Sequence, residues 1–117
     1  MPNTGSGKIG ERFAAEYLQK SGFEILCMNF KCRFGEIDVI ARNESYLVFV
    51  EVKTRRTGSA AHPFESITPG KRAKVVKTAQ YYLLSHPTAL QPRFDAAAVF
   101  VQDGVPEKIE YLENAFY

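Results

Sequence analysis

The sequence predicts an α/β fold in the order α, β, β, β, α, β, with a central mixed sheet and a helix on either side. Three observations lead to it. Apolar residues recur at helical spacing in two separate stretches, three extended runs follow one another between them, and the second helical stretch leads into one more extended, apolar run. Three strands in a row form an antiparallel meander, whereas a helix between two strands is the crossover that a parallel neighbour requires.

Ile9, Phe13, Tyr17 and Leu18 set the first helix from about residue 8, and Gly22-Phe23 stops it near Ser21. The run from Phe23 to Phe30 alternates loosely, Gly35 to Arg42 gives a second strand, and Tyr46 to Thr54 gives a third, rich in β-branched and aromatic residues. Thr68-Pro69 reads as an N-cap with proline at the first helical position. Val75, Val76, Ala79, Tyr82 and Leu83 then supply the apolar stripe of helix two, which His86-Pro87 ends. Arg93 to Val101 reads as a buried strand, Asp103-Gly104 as a turn, and Lys108 to Leu112 as an optional edge strand.

With 117 residues and no internal repeat, the chain reads as one domain over 1–117, large enough to bury a core without metal clips or disulfides. Residues 1 to 6 and Thr57 to Thr68 are the expected loose stretches. Cys27 and Cys32 are the only cysteines, and neither stands in a zinc-ligand set. With no apolar run near the length of a membrane span and no signal pattern, the expectation is a reduced, cytoplasmic protein without membrane contact. The net charge of +2 excludes nothing by itself. Its distribution says more, because residues 52 to 77 hold seven Lys/Arg against one acid while both flanks are net acidic. A basic segment beside carboxylates suits a polyanion held near a cation, although for any single lysine a solvated helix face is the simpler account.

The chemistry concentrates in GEIDVIARNESYLVFVEVKTRR, residues 35 to 56. Alternation along a strand sends Glu51 and Lys53 to one face and Val50 and Val52 to the other. A loop of two residues (Glu44-Ser45) or four (Asn43 to Tyr46) sets Asp38 directly opposite Glu51, with Cβ atoms about 4.5–5.5 Å apart. A three-residue loop sends Asp38 to the opposite face. Two carboxylates at that separation repel unless a cation or a proton lies between them, and an all-oxygen pair suits Mg²⁺. The polar face of an ordinary hairpin is the alternative. Against it, Glu51 and Lys53 interrupt a run, Leu47 to Val50, that reads as buried on both faces, where uncompensated charge is costly. Glu36 shares a face with Asp38 and is a candidate further ligand, although solvated strand polarity is the simpler account. Asp95 reads as a local salt bridge with Arg93, and His62 and His86 carry no assigned role.

These residues resemble the Asp, then Glu-x-Lys, core of the PD-(D/E)XK nuclease superfamily, and more closely the YraN-like family of small bacterial proteins. The likeness to that family covers almost the whole chain: GERFAAEYL with a following Gly-Phe, RFGEIDVIA, LVFVEVKTR, SITPGK, RFDAAAV and the closing NAF. Within the superfamily the likeness is nearest to archaeal Holliday junction resolvases. The resemblance implies a restriction-endonuclease-like core and a catalytic set of Glu11, Asp38, Glu51 and Lys53. In that set Asp38, Glu51 and Glu11 would hold Mg²⁺ or Mn²⁺, and Lys53 would orient the attacking water or the scissile phosphate. Glu11 sits at one edge of the apolar face of helix one, and Glu16, at the other edge, is the substitute.

Arg55, Arg56, Lys71 and Arg72 are the expected nucleic-acid contacts, Lys71 and Arg72 being nearest the anion-favouring start of helix two. Lys74 and Lys77 point away from the apolar stripe. Where this chain has Arg72 the family often carries Gln, and an arginine there either clamps a phosphate or neutralises the acidic cluster. The expected function is metal-dependent endonuclease action on DNA, branched or damaged DNA included. The competing reading is a binding module that keeps the fold without cutting, and an adaptor is a third. A resolvase would further require a homodimer.

Overall fold

The computed structural model of the chain describes residues 6–58, 64 and 67–116. Its elements are α1 (Ser6–Lys20), β1 (Glu24–Cys32), β2 (Gly35–Arg42), β3 (Tyr46–Arg56), α2 (Pro69–Ser85), β4 (Gln91–Gln102) and β5 (Val105–Leu112). The expected order therefore stands, with the optional strand present and longer than anticipated. Residues 1 to 5, most of the Thr57–Thr68 stretch and His62 lie outside the described residues, while Ser6 already belongs to α1.

The boundaries have local causes. At the end of α1, Phe23 N donates to Leu18 O and Gly22 N to Gln19 O, with Gly22 at φ +93°, a glycine-closed helix terminus. Thr68 caps α2 by accepting from Lys71 N, and Pro69 follows where its missing N–H costs nothing. Asp103 and Gly104 both take positive φ, as a tight turn between β4 and β5 demands.

The strands form one sheet in the order β1-β2-β3-β4-β5, antiparallel except for the β3–β4 pair. β3 is thus central, and α2 is the crossover to its parallel neighbour. The two helices cover opposite faces. Ala14 and Leu18 of α1 pack on Val39, Ala41, Val48, Val50, Val52, Ala97, Val99 and Val101. Val75, Ala79 and Tyr82 of α2 pack on Ile37, Ile40, Leu47, Phe49, Ala96 and Phe116. Leu47 to Val50 are buried, as a central strand covered on both faces must be. Among the described residues no helix is long and apolar enough to cross a membrane.

Asp95 is fully buried, and it is satisfied from four sides. Arg93 Nε and Nη2 donate to its carboxylate at 3.0 and 2.9 Å, Asn114 N donates at 2.9 Å, and the Tyr111 hydroxyl donates to Oδ2. Arg93 also lies over the Tyr46 ring, 4.5 Å from its centroid. The local Arg93–Asp95 bridge expected from sequence is therefore one part of a network that ties β3, β4, β5 and the segment after β5 together.

Candidate functional site

The β2–β3 hairpin pairs Arg42 with Leu47 and Val39 with Val50. The loop has even parity, and one further step of the register sets Asp38 opposite Glu51. The backbone ladder stops short of that step. Instead Asp38 Oδ2 accepts from Val52 N at 2.7 Å, so a side chain takes the place of a main-chain carbonyl where the two strands part.

The same rung is irregular on the other side of β2. Met28 pairs with Val39 and Phe30 with Ile37, but Asn29, which would face Asp38, adopts φ +56°. Across this rung the side-chain alternation resets, and Ile37 and Ile40 both join the α2-side cluster. Asn29 Nδ2 donates to Glu11 Oε1 at 2.9 Å, which brings the α1 carboxylate to the same rung. Gly10 makes the approach of α1 possible: a Cβ there would stand 1.9 Å from Thr54 Oγ1 of β3.

Glu51 and Lys53 share the face of Leu47 and Phe49, beneath the start of α2, with Lys53 Nζ 3.3 Å from Glu51 Oε2. Beside them on β4 lie Ala96 and Ala98, whose small side chains leave room for the charged pair. Burial and the neighbouring charge of Glu51 push the Asp38 carboxyl up to about 8, with Glu11 and Glu36 adding to the effect against the Val52 hydrogen bond. Burial also raises Glu51, opposed mainly by Lys53 and more weakly by Lys71. Gly7, Lys8, Glu11, Asn29, Lys31 and Glu36 line a 320 Å³ cleft that opens beside the cluster.

Among the expected residues, then, Asp38, Glu51 and Lys53 come together, and Glu11 reaches the cluster's edge. Glu16 is exposed on α1. Glu36, read from sequence as solvated polarity or a further ligand, is exposed and close enough to raise both half-buried carboxylates. Among the described residues, no three His, Cys, Asp or Glu side chains are grouped closely enough to hold an ion by themselves. The donor set thus amounts to two half-buried carboxylates, one of them paired with Lys53, which fits a cation that keeps several waters and takes one or two protein oxygens.

The basic residues divide. Arg55 alternates with Glu51 and Lys53 and so shares their face, whereas Arg56, paired with Val101 on β4, belongs to the α1 side. Lys71 and Arg72 are both exposed at the start of α2, and of the two it is Lys71 whose charge acts on Glu51. Lys77 is not merely solvated either: its Nζ lies 5.6 Å from the centroid of the Phe34 ring. Sequence reasoning misses Asn29 and Phe34. A polar residue inside an extended run and an aromatic at a hairpin tip are the available signals.

Residues 10–99 match the family described as "Uncharacterised protein family UPF0102". The chain is 44% identical over 113 residues to a UPF0102 protein of Caldanaerobacter subterraneus subsp. tengcongensis, covering 94% of this chain and 93% of that one. It is 41% identical to one of Syntrophus aciditrophicus (97% and 90% covered) and 43% identical to one of Persephonella marina (94% and 91%).

Proposed function

The chain belongs to the UPF0102, or YraN-like, family, and we propose that it is a Mg²⁺- or Mn²⁺-dependent endonuclease with a restriction-endonuclease-like core, hydrolysing phosphodiester bonds in DNA, branched or damaged DNA included. The observation that carries this reading is the pair of half-buried carboxylates, Asp38 and Glu51, side by side at the open end of a central hairpin with Lys53 on the same strand. An ordinary polar hairpin face has no reason to hold two acids half out of water and in mutual repulsion.

Asp38 and Glu51 would hold the cation, with Glu11 joining from α1. When bound, that ion supplies a nucleophile at neutral pH and stabilises charge building on the phosphate. Lys53, 18% exposed and fixed against Glu51, stands ready to donate to a non-bridging phosphate oxygen or to the incoming water. Arg55 and Lys71 lie on the same side and favour the approach of a polyanion. Two unbridged cysteines fit a reducing, cytoplasmic setting. Symmetric cutting of a junction would call for two copies related by a two-fold axis.

Linear, nicked, flap and four-way-junction DNA with Mg²⁺ or Mn²⁺ provide the test. Asp38→Ala and Glu51→Ala should abolish cleavage while leaving DNA binding intact or tighter. Lys53→Ala should lower turnover while millimolar metal still raises the melting temperature. The lack, among the described residues, of a preformed three-ligand group favours one second reading, a DNA-binding module that does not cut. If metal fails to stabilise the parent even with DNA present, and no substrate is cut, that reading replaces the first.

A further inference from the structure

Away from the carboxylates, the tip of the β1–β2 hairpin rests on α2 in an unusual way. The Phe34 ring makes an edge contact with Tyr81 at 5.9 Å, and two cations approach it, the Arg33 guanidinium at 4.9 Å and Lys77 Nζ at 5.6 Å. Gly35, at φ +153°, permits this seat: a Cβ there would meet Thr78 Oγ1 at 3.1 Å and Lys74 Cβ at 3.8 Å. Tyr81 is 42% exposed, and Phe34 is half-buried.

Among the described residues, none of Arg33, Lys74 and Lys77 has a carboxylate within ion-pair distance. Lys71, Lys74, Lys77 and Tyr81 follow one another at three- and four-residue steps, one stripe along α2. The stripe begins at the lysine that Glu51 feels and ends at the aromatic pair, a run of about 15 Å at the helical rise. Cations interleaved with aromatic rings are what an unpaired strand needs, phosphates on the ammonium groups and a base on a π-face. A duplex, whose bases are stacked internally, has no use for the rings.

We infer that Phe34 and Tyr81, with Arg33, Lys74 and Lys77 around them, form a docking site for single-stranded DNA, in which one unpaired base stacks at Phe34 and the strand runs along α2 toward the carboxylates. This deepens the nucleic-acid reading above and rests on it for the choice of DNA. The substrates it selects are those with an unpaired segment beside the scissile bond, such as flaps and gaps.

The site is tested by fluorescence anisotropy in chelator, where cutting plays no part. The probes are a labelled oligo-dT, an abasic oligomer of the same length, a blunt duplex and an oligo-rU. Phe34→Leu should weaken oligo-dT binding about tenfold, the loss expected for one base–aromatic stack, and leave the abasic oligomer unchanged. Lys77→Gln should weaken both and flatten the salt dependence. The chain has no tryptophan, so Phe34→Trp installs a single reporter even if the leucine variant folds poorly. Its emission should be quenched by oligo-dT and not by the abasic strand.

The assignment is overturned if the parent does not bind oligo-dT, if it prefers the duplex or oligo-rU, if Phe34→Leu lowers dT and abasic binding equally, or if the emission of the Phe34→Trp variant ignores the bases. Cleavage with a silent Phe34 would remove this site and spare the nuclease. Phe34-dependent binding without cleavage on any DNA would do the reverse.

Discussion

Asp38 in the folded, metal-free chain keeps its proton until about pH 8, whereas in the unfolded chain it releases that proton near 3.8. The folded state therefore binds more protons across this window. The stability so gained is fully present below the unfolded value and is lost as pH rises through the folded one. The melting temperature in chelator should fall from about pH 4 to about 8, and Asp38→Asn should remove most of that slope. Mg²⁺ should flatten it from the alkaline side, since the ion replaces the proton between the acids. A melting curve that is level or rising through this window would show that the acids are not held as described. Glu51 and Lys53 are legible as neighbours because strand alternation is a local rule, and Asp38 is legible once loop parity is granted. The rung at Asn29 is not, because a positive φ inside a strand depends on what the side chain reaches, here Glu11 on a different element.

The placement of α1 rests on one missing methyl. Gly10→Ala would put a Cβ 1.9 Å from Thr54 Oγ1, so the helix must lift or Thr54 must turn. We expect a loss of roughly 1–3 kcal/mol by urea denaturation, reduced when Thr54→Ala is present in the same chain. Turnover should fall further than stability alone explains, because Glu11 is carried on the next residue. No pattern in the sequence marks Gly10 as a contact, since it stands inside a helical run and its partner is on the central strand. Gly22, Thr68-Pro69 and Asp103-Gly104 are legible for the opposite reason: the caps and turns they build are made by adjacent residues.

Across the molecule, the fully buried Asp95 collects donors from β4, β5 and the residue after Glu113. The Tyr111 hydroxyl, held well above its ordinary range by burial and by Asp95, remains a donor at any working pH. Tyr111→Phe should cost about 1–3 kcal/mol in urea denaturation, the penalty of a buried acceptor losing a partner, and leave metal-induced stabilisation in place. The network also has a consequence in time. During synthesis every residue of the carboxylate site is complete once β3 has left the ribosome, yet two of the donors to Asp95 arrive only with Tyr111 and Asn114. Phe116, which stacks on Phe94 at 5.7 Å, comes later still. A nascent chain halted after β4 would carry all the candidate residues on a core with an underbonded buried acid, so the packing around β4 is finished only by the last-made segment.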